Sequence, residues 1–122
     1  MQRVLNAMDA LENGEAQGFV EGTLGIAPHK RKKIDLGKNY VAEYVFNNKN
    51  LNVHFYRSNG GLFPQSFRGR IYRSFSMWPG QHAGINIEWI DEMQSWCVTV
   101  VGGAELPPGE AEIEKVVRMV IE

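Results

Sequence analysis

The chain has 122 residues and a mass of 13.8 kDa, with 43% hydrophobic, 11% aromatic and 22% charged residues, the composition of one ordinary globular domain. Thirteen basic against fourteen acidic residues leave a net charge of −1, and the one cysteine, Cys97, excludes an intramolecular disulfide and a zinc site built on several thiolates. Asp9 and Glu12 interrupt the amino-terminal apolar residues, and no apolar run approaches the ~18 residues of a membrane span. The expectation is therefore a single domain over 1–122, cytoplasmic, with no membrane partner.

In chain order, Val4, Leu5, Met8 and Leu11 have the spacing of an amphipathic helix, with Asn13 and Gly14 as its stop. Residues 18–26 alternate weakly and are rich in glycine, so they read as a short edge strand or an irregular connection. Pro28 and the HKRKK run read as a loop.

From Tyr40 to Arg57 the alternation is that of a β-hairpin turning near Asn48 and Lys49. Its register sets Tyr44 opposite Val53, Ala42 opposite Phe55 and, on the other face, Glu43 opposite His54. Ser58 to Gly61 read as a loop. Over 67–77 the spacing is taken as a third strand, with Phe67, Ile71, Phe75 and Met77 on one face and Arg68, Arg70, Tyr72, Ser74 and Ser76 on the other. A second hairpin runs from Ile85 to Val101 with its turn at Glu92 and Met93, pairing Ile85 with Val100, Ile87 with Val98 and Trp89 with Trp96. Beyond Gly102, Gly103, Pro107, Pro108 and Gly109, a helix is predicted with acidic residues in its first turn and the stripe Ile113, Val116, Val117, Val120 and Ile121. These elements imply an α+β fold: a single, mainly antiparallel sheet of four to six strands, with the N-terminal and C-terminal helices packed on one face.

That architecture leaves one sheet face over, with Glu43, His54, Tyr56, Arg68, Arg70, Tyr72, Glu88 and Cys97 as its expected residents. Such a face is solvated, buried against a second copy, or a ligand site. Charge adds to this reading. Residues 29–73 hold ten basic and two acidic residues, while 1–28 hold one and four and 74–122 hold two and eight. Either the acidic ends neutralise the basic middle, or the middle presents a surface to an anionic partner.

Two function classes follow. The first is a non-enzymatic binding module that self-associates as a homo-oligomer. Its basic, aromatic face over 54–73, including Tyr56, Arg68, Arg70 and Tyr72, would receive an acidic protein surface or an anionic small molecule. The arginines and Tyr72 in FRGRIYRSFSMW extend the same chemistry to single-stranded nucleic acid, although no RNA-binding sheet signature is present. The second is an acid–base enzyme with Glu43 and His54 as the catalytic pair and Arg68 and Arg70 as anion clamps, since a carboxylate beside an imidazole favours its protonated form. His82 has no second ligand at metal spacing, no glycine pair forms a phosphate loop, and Cys97 reads as a small buried thiol. No metal or cofactor is expected.

Overall fold

The computed structural model describes residues 31–47, 50–78, 82–103 and 109–122. Five strands in these segments, β1 (Lys32–Gly37), β2 (Tyr40–Asn47), β3 (Asn50–Arg57), β4 (His82–Ile90) and β5 (Ser95–Gly102), make one antiparallel sheet in the order β1-β2-β3-β5-β4. Two helices accompany them, α1 (Arg68–Ser76) and α2 (Glu110–Met119), so the fold is α+β. Among the described residues no helix is long and apolar enough to cross a membrane.

Both hairpins take the expected register. Tyr44 faces Val53, Ala42 faces Phe55 and Glu43 faces His54. Ile85 faces Val100, Ile87 faces Val98 and Trp89 faces Trp96. The β4–β5 connection is a 3-10 turn over Asp91–Met93 with Gln94 in the left-handed region at φ 51°, a conformation steadied by Gln94 Nε2 donating to the Asp91 carbonyl at 2.8 Å. That four-residue loop and a tight turn centred on the same residues give one register, which explains why the pairing was legible without the loop geometry.

Two expectations are corrected. The basic run read as a loop enters strand β1, where Ile34 pairs with Ala42 and is buried. Alternation of Ile34 and Leu36 with charged residues is a strand pattern that the lysines obscure. The chain leaves β1 through Gly37, Lys38 and Asn39, all at positive φ, with Gly37 N donating to Asp35 Oδ1 at 2.9 Å.

The second correction is larger. The strand expected over 67–77 is a 3-10 turn (Gln65–Phe67) followed by α1, which buries Ile71, Ser74 and Phe75. Four-residue spacing between Phe67, Ile71 and Phe75 satisfies a two-residue and a 3.6-residue period alike. Gly69 and Arg73, which would have faced the core in a strand, are exposed on the helix.

Helices α1 and α2 cover the same sheet face, where Ile71 and Phe75 from the one and Ile113, Val116 and Val117 from the other join Val53, Phe55, Val98 and Val100 in one core. Phe63, wholly buried, closes it from the β3–α1 loop, and that loop is held by Phe63 N to Gln94 O (3.1 Å) and Trp96 Nε1 to Pro64 O (3.1 Å). The expected partner of the C-terminal helix on this face was an N-terminal one; in the described residues it is α1. The helix predicted around 4–11 and the strand at 18–26 lie outside the described residues.

Candidate functional site

Alternation puts Glu43, His54, Tyr56, Glu88 and Cys97 on the face away from the helices, as the register requires, but only its β4 edge is wet, with Asn86 and Glu88 exposed. Val41, Val45, Asn52, His54, Ser95 and Cys97 there are each 7% exposed or less. Strand phase fixes the side on which a residue stands, and it carries no information about what lies over that side. The expectation of a solvated face is corrected at these residues.

Within it the polar groups bond to one another. His54 lies opposite Glu43, yet its Nε2 pairs with Ser95 Oγ at 2.9 Å, while the Tyr56 phenol donates to the Glu43 carboxylate. The imidazole stacks on the Tyr56 ring, 4.8 Å between centroids, and its Nδ1 is buried without a hydrogen-bond partner. A buried acceptor without a partner costs less than a buried N–H without one, because only a lone pair loses water, so Nε2 carries the proton and donates to Ser95. Burial, aided by the positive charge of Arg31, lowers the His54 pKa to about 4. Burial and then Glu43 push the Tyr56 phenol up. Burial, followed by Glu88, pushes the Cys97 thiol up to about 12.

Ser95 is the residue that sequence reasoning missed. It stands two before Cys97 on β5, and only the β3–β5 pairing, which sets Cys97 opposite His54, brings it to the ring. No local signal in the chain announces that pairing.

Arg68, Arg70 and Tyr72 do not join this group. They stand on α1, across the sheet, and the single surface expected for all eight residues is not formed. Two of the basic residues instead sit on aromatic rings where β2 begins and β3 ends. The Arg57 guanidinium lies 4.7 Å from the centroid of Tyr40, and that of Arg70 lies 4.7 Å from Phe67. Tyr40 and Phe67 are themselves 6.1 Å apart, and Phe63 contacts both, at 5.1 and 5.5 Å. Arg70 also donates to the Ile121 carbonyl at 3.3 Å. The Arg57 Nε is buried without a hydrogen-bond partner. Arg68, Tyr72 and Arg73 are exposed on the outer side of α1.

The stretch that carries this cluster is acid-free: between Glu43 and Glu88 the chain has five basic residues, Lys49, Arg57, Arg68, Arg70 and Arg73, and not one carboxylate. Asp91 and Glu92 stand on the β4–β5 turn, at the end of the sheet where β3 finishes, since Phe55 faces Trp96 and Phe63 N donates to Gln94 O. His82 opens β4, and no group of three or more His, Cys, Asp or Glu side chains suited to a metal occurs among the described residues.

This is a small α+β domain with a sequestered polar row on one face and a stacked arginine cluster at one end. No family model, no curated protein and no solved structure matches the chain.

Proposed function

We propose that this protein is a non-enzymatic binding module that takes an anionic partner at the arginine–aromatic end, with Arg57 and Arg68 as the principal contacts and Arg70, Arg73 and Tyr72 beside them. The observation that carries the reading is the guanidinium of Arg57, held on the Tyr40 ring with its Nε unbonded. A ring beneath an arginine fixes its plane and lowers the entropy lost when its edge meets a carboxylate or phosphate in a two-point contact. The stretch from Glu43 to Glu88 that carries it adds four further basic residues and no carboxylate. Self-association belongs to the same reading, since the module is small and, among the described residues, its sheet ends in a strand with no partner on its outer side.

The acid–base alternative at Glu43 and His54 has less support. A general base needs a pKa near the working pH and reach to a substrate, and a buried imidazole at about 4 bonded to a buried serine has neither.

Retention on immobilised heparin, eluted with a salt gradient, tests the proposal. Wild type is expected to bind at low salt, and Arg57→Gln and Arg68→Gln each to elute earlier and to lower the slope of log affinity against log salt by about 1. Passage of wild type through the column at low salt, or equal elution of all three proteins, overturns it.

A further inference from the structure

The two edges of the sheet are built differently. β1 has six residues, opens with Lys32 and Lys33 and has an irregularity between Asp35 and Gly37, all features that discourage a further strand from pairing. β4 has none of these from Gly84 to Ile90: no lysine, no proline and no break in register, with Glu88 its one charge. Its outer side has no strand partner among the described residues. The core-side row Ile85, Ile87 and Trp89 is only half-buried, whereas Val100, Val98 and Trp96 opposite them on β5 are 5% exposed or less. Trp89 Nε1 is also buried without an acceptor.

We propose that β4 pairs antiparallel with β4 of a second copy of this chain, with the two-fold axis through Ile87, giving one continuous sheet of ten strands. The proposal rests on the self-association reading above and adds the strand and the register. A two-fold normal to the sheet keeps each residue on its own face, so facing residue numbers must sum to an even value. The regular part of the strand, Gly84–Ile90, is centred on Ile87, and that centre gives full overlap. Ile87 then meets its own copy, Ile85 meets Trp89 of the partner subunit over the helices, and on the other face Asn86 meets Glu88 of the partner subunit. The strand is patterned symmetrically about its centre, so apolar residues face apolar ones, amide faces carboxylate twice, and Glu88 never faces itself. A partner of different sequence would have no reason to match that symmetry.

Sedimentation of the full chain over a concentration series reads the outcome. Wild type is expected to pass from 13.8 kDa towards twice that mass. Asn86→Lys sets a lysine opposite Glu88 of the partner subunit and is expected to tighten the dimer about threefold. Asn86→Lys combined with Glu88→Lys opposes lysine to lysine at both sites and is expected to weaken it on the order of 10-fold. Both side chains are exposed in the monomer, so the fold is retained, which far-UV circular dichroism checks. A wild type that stays at 13.8 kDa overturns both the pairing and self-association, leaving anion binding to the heparin experiment. A dimer unmoved by either change overturns the pairing alone and assigns self-association to another surface.

Discussion

At His54 the sequence offered an acid–base residue and the fold made a neutral one. Its folded pKa of about 4 lies below the ordinary 6.5, so between these values the unfolded chain binds a proton that the folded chain refuses. Stability is thus full above pH 6.5 and lost as pH falls towards 4, by about 1.4 kcal/mol per pH unit and about 3 kcal/mol over the window. Urea midpoints at pH 7 and pH 5 for wild type and His54→Gln check this. The glutamine keeps a donor for Ser95 and cannot titrate, so between pH 7 and pH 5 its loss of stability should be smaller by about 2 kcal/mol; equal losses would mean that His54 is protonated in the fold. Cys97 gives a companion expectation. At 2% exposure and with its thiol pushed up to about 12, it should resist a thiol reagent such as dithionitrobenzoate in the native protein at pH 8 and react fully in denaturant. Rapid native labelling would place the sulfur in water.

Among the elements, the hairpins and α2 were legible because each pattern admits a single period. Alternation from Tyr40 to Arg57 fits only a strand pair, and Ile113, Val116, Val117 and Val120 fit only a helix. The segment carrying α1 was ambiguous, and the informative positions were the gaps: glycine and arginine stand where a strand would have needed core residues. Gly69 tests the helix directly. A Cβ there meets nothing within 4 Å and the backbone is not in the left-handed region, so Gly69→Ala is expected to raise stability by about 0.5–1 kcal/mol, read as a higher urea midpoint with unchanged slope. A destabilised variant would contradict an exposed helical position.

For the whole molecule, the charge map resolves into two regions. Around β1 the neutralising reading applies, because Lys32 meets Glu110 at 3.3 Å and Arg118 of α2 bonds both Glu114 and the Asp35 carbonyl. These contacts are exposed and contribute little to stability, yet they pair the basic run with the acidic helix. Arg57 itself has no ion-pair partner among the described residues, and the anion-binding proposal is confined to its end of the sheet. The heparin experiment and the sedimentation experiment therefore probe different surfaces: arginine substitutions should leave the mass unchanged, and β4 substitutions should leave Arg57 in place.

The amino-acid sequence by itself determined the strand phases, both hairpin registers and the apolar stripe of α2, since these follow from local periodicity and steric alternation. Only the tertiary structure decided that β3 lies beside β5, that His54 itself is buried, and that the arginines of 68–73 stand across the sheet from it. Each of these depends on contacts between residues far apart in the chain. Local pattern says which way a side chain points, and the packing of distant segments says whether it meets water, a serine hydroxyl or an aromatic ring.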